Sequence, residues 1–195
     1  MIIKSILPLV VLISLNLSAN QIEDTINKYS YHYNIDKKII NTIISTESNF
    51  DRYAIGISTS IHQDKIEKYL KQNNLNYKKM KLKNSNKYFF STLKNSEDKA
   101  VNLLKFLQKN NIKNYGLGLM QISSYNLKTF AQKYNTLTKP DTNIKKGVSI
   151  LRWCFDKQKT TINKPYNAIE CYYKGGNIYN YKNYEYLTKF AQNFK

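Results

Sequence analysis

Glu47 ends a short apolar run, IINTIISTES over residues 39–48, and it is the first side chain here whose placement suggests chemistry. At helical spacing Ile40, Ile43, Ile44 and Glu47 fall on one stripe, so the carboxyl continues the face that a folded chain would bury. Two effects would then raise its pKa: desolvation, and the negative end of the helix dipole. A carboxyl kept protonated near neutral pH is a proton donor. A slight roll of the helix would instead leave Glu47 at the surface as an ordinary terminal residue, and spacing alone does not separate the two. A second stretch, YGLGLMQISS over residues 115–124, sets Gly116 and Gly118 one residue apart ahead of Leu119, Met120 and Gln121. That pattern reads as a tight turn in which backbone approaches a neighbour closely. His32 and His62 are the only histidines, and neither has ligand-like spacing to Cys154 or Cys171, so no metal and no cofactor is expected.

Helices must position these residues. The apolar period predicts one over residues 20–33, with Ile22, Ile26, Tyr29 and Tyr33 on one side, and a second, capped by Asp36, that carries Glu47. Residues 49–56 lack a helical period and read as an ordered loop. Residues 57–113 read as an insertion, with a short helix over 64–72, a small hairpin turning at Asn84-Ser85-Asn86, and a helix capped by Ser96. Lysines alternating with apolar residues over 78–83 predict an exposed strand face. Ser123 or Ser124 would cap a helix running through Leu127, Phe130, Ala131 and Tyr134. Pro140-Asp141-Thr142 opens a helix over 143–157 that buries Ile144, Val148, Leu151 and Phe155. Pro165 opens a helix over 166–174 that ends at Gly175-Gly176, and a last one covers 184–194 with Leu187, Phe190 and Ala191 inward. The sum is a single, mainly α domain.

The first 19 residues stand apart. Lys4 precedes an apolar run from Ile6 to Leu17, and Ser18-Ala19 supplies small residues for cleavage, the pattern of a secretory signal that leaves no membrane span behind. Lys4 is the only charged side chain in that segment, so its removal takes the formal net charge from +18 to +17. Such a balance implies an anionic partner: nucleic acid, lipid or a cell-wall polymer. The abundance of Lys, Asn, Ile and Tyr throughout is also what an AT-rich coding sequence produces. Export carries Cys154 and Cys171 into an oxidising compartment where a disulfide is expected, the alternative being two buried thiols.

Three stretches together resemble the lysozyme-like lytic transglycosylases that cut bacterial peptidoglycan, the SLT domain family with its likeness to goose-type lysozyme. Thr46-Glu47-Ser48-Asn49-Phe50, with Ala54-Ile55-Gly56 behind it, is similar to the family's catalytic Glu-Ser motif. Gly118-Leu119-Met120-Gln121-Ile122 matches its Gly-Leu-Met-Gln block. Residues 168–175, AIECYYKG, are similar to its Ala-Tyr-Asn-Ala-Gly block in Tyr172 and Gly175 only, with Tyr173 standing where the family usually has Asn. Residues 143–151 also resemble the helix between the last two motifs. The long gap between the first two blocks resembles members that serve type IV secretion and conjugation.

The resemblance implies a lysozyme-like helical domain in the periplasm, acting on peptidoglycan glycan strands, with secretion or conjugation machinery as a further partner. It implies Glu47 as the one catalytic residue, acid first and then base, with water replaced by the sugar's own 6-hydroxyl. Ser48, Gly118, Leu119, Met120, Gln121 and Tyr172 would form the substrate-binding set, Gln121 holding hydroxyl and acetamido groups and Tyr172 orienting Glu47. A hydrolytic lysozyme of the same fold would need a second carboxylate, with Asp51 the nearest by sequence. A wall-binding scaffold would need no Glu47. An exported nucleic-acid binder would use the charge, but no nucleic-acid motif is present, so none is expected as a partner.

Overall fold

A computed structural model describes residues 7–83, 85–158, 164–175 and 185–194, of which residues 7–19 and 185 are described by backbone alone. Helix α1 (Leu7–Tyr33) begins before the expected residue 20, because the apolar leader and the segment after it meet without a helix breaker. Ile22, Ile26 and Tyr29 bury its inner face. The Tyr29 hydroxyl and the Lys28 ammonium both reach the Asp141 carboxylate at 2.9 Å, which ties α1 to the start of α6 (Pro140–Lys157). Among the described residues no helix is long and apolar enough to cross a membrane.

Helix α2 (Lys37–Ser48) is capped by Asp36, whose side chain accepts from Lys38 N–H at 2.8 Å, and ends at Asn49 in the left-handed region. Ile40, Ile43 and Ile44 are fully buried, with α1 on one side and α8 (Glu185–Asn193) on another. The stripe expected from the sequence is therefore the buried one.

The sheet is larger than the expected hairpin. Five antiparallel strands lie in the order β2-β3-β1-β4-β5: β1 (Ile55–Thr59), β2 (Tyr77–Lys81), β3 (Tyr88–Thr92), β4 (Tyr115–Leu117) and β5 (Ile122–Ser123). Ile55 and Gly56, expected in a loop, open β1, because Ile55 and Ile57 bury one face of a strand that pairs with β3 and β4. The lysines of β2 are exposed at the sheet edge as expected. Helix α3 (Gln63–Gln72) and α4 (Glu97–Lys109, capped by Ser96) pack through Tyr69 stacked on Phe106, 3.9 Å between ring centres.

The helix expected after Ser123 is broken. Ser123 caps only a 3-10 turn (Ser124–Asn126), Leu127 is extended, and α5 (Phe130–Thr138) starts anew from a Thr129–Gln132 capping box. Phe130 and Tyr134 face solvent, and Thr136, Leu137 and Thr138 go inward. Helix α6 buries Ile144, Val148 and Leu151, with Phe155 half-buried. Helix α7 (Lys164–Tyr173) is joined to it by a Cys154–Cys171 disulfide. On α8 the inward residues are Tyr186 and Phe190, with Leu187 half-buried and Ala191 exposed, so the expected face is turned by about one residue. Tyr184 and Gly176 lie outside the described residues.

Candidate active site

The end of α2 opens into a cleft of about 410 Å³, walled by β5, by α6 and by the end of α7. Glu47 is half-buried at its base, and among the described residues it is the only carboxylate lining the cleft. The Tyr186 hydroxyl donates to Glu47 Oε1 at 2.7 Å. Burial raises the Glu47 pKa from the ordinary carboxylate range to about 7, against the opposing pull of that hydrogen bond and of the Lys189 charge. The Tyr186 and Tyr172 hydroxyls are pushed up by burial and by the nearby carboxylate, so both remain donors.

Tyr172 lines the cleft beside Glu47, but its hydroxyl donates to the Met120 carbonyl at 2.6 Å. Among the described residues the tyrosine hydroxyl hydrogen-bonded to Glu47 is that of Tyr186, a residue that sequence reasoning missed. The available signal was the spacing of Tyr186 and Phe190 on one helical face.

Gln121 also lines the cleft, with its amide spent on the wall. Its Nε2 donates to the Ala54 and Gly118 carbonyls at 3.2 and 2.9 Å, and its Oε1 accepts from Gly56 N–H at 3.1 Å. Gly56 and Gly116 face each other across β1 and β4, and a Cβ on either would meet Gln121 Oε1 at 2.8 or 2.9 Å. The close approach foreseen from the glycines is thus to this chain's own glutamine. Gly118 has φ +69° and faces Asn143, with Nδ2 only 2.4 Å from where a Cβ would stand. Leu119 and Met120 are fully buried. Ser48 is buried too, its hydroxyl donating to the Ile44 carbonyl at 3.1 Å. Of the expected substrate-binding set, then, Gln121 and Tyr172 line the cleft, while Ser48, Gly118, Leu119 and Met120 lie behind its surface.

Asn143 holds that wall from α6. Its Oδ1 accepts from Met120 N–H at 2.9 Å, and its Nδ2 donates to the Leu117 and Thr136 carbonyls at 2.8 and 2.9 Å. Aromatic faces line the opening: Trp153 on α6, 44 % exposed, and Tyr173 on α7, 53 % exposed. The Tyr173 ring stacks on Tyr186 with 4.5 Å between ring centres and 12° between planes. Tyr173 therefore flanks the tyrosine that holds Glu47.

Asp51 is engaged elsewhere, accepting from Tyr53 N–H at 2.9 Å and from Lys94 N–H. No group of His, Cys, Asp or Glu among the described residues could hold a metal ion.

An acid with its pKa near 7, between a polar wall and two exposed aromatic rings, suits protonation of a glycosidic oxygen. The family model described as Transglycosylase SLT domain matches residues 24–194. The chain belongs to the transglycosylase SLT domain family. Membership supports a lytic transglycosylase acting on peptidoglycan, with the lysozyme-like fold that the helices and small sheet display. No curated protein and no solved structure matches the chain.

Proposed function

We propose that this transglycosylase SLT domain cleaves the β-1,4 bond between N-acetylmuramic acid and N-acetylglucosamine without water, Glu47 acting as acid and then as base. The Glu47 carboxyl gives its proton to the bridging oxygen as the C1–O bond breaks. The positive charge then developing at C1 lies beside the new carboxylate. That carboxylate takes the proton of the muramic 6-hydroxyl while its oxygen closes on C1, which leaves a 1,6-anhydro ring and restores the acid. The carrying observation is that Glu47 is the only cleft-lining carboxylate among the described residues, with its pKa near 7. A lysozyme would need Asp51 or another carboxylate in the cleft, and Asp51 instead closes the loop after α2.

The decisive experiment is digestion of purified sacculi followed by mass spectrometry. Expected products end in 1,6-anhydro-N-acetylmuramic acid and are lighter by one water than hydrolysis products. Glu47→Gln should fold and lose about 10² to 10⁴ of the rate, the span of general acid-base catalysis. Reducing-end products, together with a dead Asp51→Asn variant, would replace this reading with a lysozyme.

The chain is further read as exported, residues 1–19 serving as a cleaved signal and the domain working in the periplasm. Protein recovered from that compartment should then begin at Asn20. The inserted residues 57–113 supply none of the described cleft lining, so they are read as shaping the wider substrate groove or docking a partner, such as a secretion, conjugation or pilus apparatus, and not as part of the acid-base chemistry. That they take no part in the acid-base chemistry can be checked with Asp64→Ala and Asp98→Ala, both expected to keep turnover within a few-fold.

A further inference from the structure

Helix α8 carries Tyr186, and a nine-residue helix keeps that hydroxyl 2.7 Å from Glu47 only if its own position is fixed. Side chains from two other elements fix it. Near its C-terminal end Asn193 Nδ2 donates to Thr46 Oγ1 of α2 at 3.2 Å. At its first turn Glu170 of α7, with no exposed surface, presents Oε1 to Leu187 N–H at 3.0 Å. The first N–H groups of a helix lack partners within it, and a carboxylate there also complements the dipole.

Glu170 is unusual for a plain packing residue. Its Oε2 stands 3.6 Å from Lys174 Nζ and has no hydrogen-bond partner among the described residues. A buried acid with an unused acceptor is costly where an apolar side chain would fill the space. What its place provides is a fixed oxygen beneath the residue that follows Tyr186. Among the described residues the polar groups that bear on Glu47 are Tyr186 and Lys189 from α8 and Tyr172 from α7, so Glu170 acts on Glu47 through the helix that it caps.

We propose that Glu170 is a positioning residue for the cleavage reaction: by capping α8 at Leu187 it sets the Tyr186 hydroxyl against the Glu47 carboxyl. The proposal rests on the reading of Glu47 as the acid. If the cap is lost, α8 slackens at its first turn and the hydroxyl withdraws. Glu47 then loses a bond that favours its ionised form, becoming a weaker acid.

The test follows the Glu47 carboxyl directly, by carbon NMR titration of glutamate-labelled protein, with the resonance assigned by its absence in Glu47→Gln. Tyr186→Phe should move the titration upward by about one pH unit, the worth of a hydrogen bond to a charged group. Glu170→Met, which has no acceptor, and Glu170→Asp, which is a methylene too short, should move it in the same direction. Glu170→Gln keeps an acceptor and should titrate as the wild type does. Adding Tyr186→Phe to Glu170→Met should give no further rise. The proposal is overturned if Tyr186→Phe leaves the titration unmoved, if Glu170→Asp titrates at the wild-type value, or if the two effects add. Should Glu170→Met fail to fold, Glu170→Asp carries the same decision. Failure of the reading of Glu47 as the acid looks different: Glu47→Gln would still release anhydro products, whatever the titrations give.

Discussion

Keeping Glu47 protonated near neutrality sets activity against stability at one residue. Its folded pKa of about 7 lies above the ordinary 4.5, so the unfolded chain gives up the proton first as pH rises. Stability therefore falls between about pH 4.5 and pH 7 and stays lower above that, by roughly 3 kcal/mol. Glu47→Gln carries no such charge, so it should melt above the wild type at about pH 8.5 and close to it at about pH 4. Turnover of sacculi should fall as pH rises through about 7, where the acid form is lost. Equal melting curves for the two proteins at both pH values would mean that the carboxyl is solvated. At this scale the sequence was legible where the signal is local. Three isoleucines at helical spacing bury their stripe whatever the tertiary contacts are. Tyr186 was not legible, because its bond to Glu47 spans 139 residues and depends on how α8 meets α2.

At the scale of elements, the wall behind the acid hangs on one buried amide. Asn143 was legible as the start of a helix but not as a tether, since its three bonds go to backbone in β4, in the Gly118 turn and in α5. Asn143→Ala should cost at least about 2 kcal/mol, because Met120 N–H loses its acceptor inside the core. Urea unfolding would show this as a lower midpoint at unchanged slope. A midpoint equal to that of the wild type would mean that water or a neighbour replaces the amide. Local signals fixed the caps at Asp36 and Ser96, and both are present. They misled at Ser123, where a cap signal starts only a 3-10 turn because the chain must bend at Leu127 to bring α5 under the Gly118 turn. The Cys154–Cys171 link followed from the expected compartment, and it fastens α6 to α7 beside two cleft residues, Trp153 and Tyr172. Replacing both cysteines with alanine should lower stability by about 3 kcal/mol, the loop-entropy value for such a bridge, as read from the same unfolding curves.

Across the whole molecule the sequence separated a helical core from an insertion, while the structure joins them in one sheet. Period-2 signals in β1 and β4 are only five and three residues long and are interrupted by Gly56 and Gly116, so their pairing is visible only once the Gln121 side chain is seen to occupy the space above both glycines. Charge is the other property of this scale. Lysines outnumber acids along the whole chain, and those of β2 stand exposed at the sheet edge, on an element that contributes nothing to the described cleft. A formal net charge of +18, or +17 once residues 1–19 are removed, would attract an anionic wall polymer over distances that salt screens, with a Debye length of about 8 Å at physiological ionic strength. Glu47 and the buried Tyr186, in contact at the base of the cleft, are screened far less. Sacculus binding should therefore weaken strongly between about 50 mM and about 500 mM salt, while the products released keep their anhydro ends. Pull-down of the catalytically silent Glu47→Gln protein with purified sacculi separates adsorption from turnover. Equal adsorption at both salt concentrations would mean that the enzyme is held by the cleft alone, through Trp153, Tyr173 and the polar wall, and that the basic surface has no part in finding the substrate.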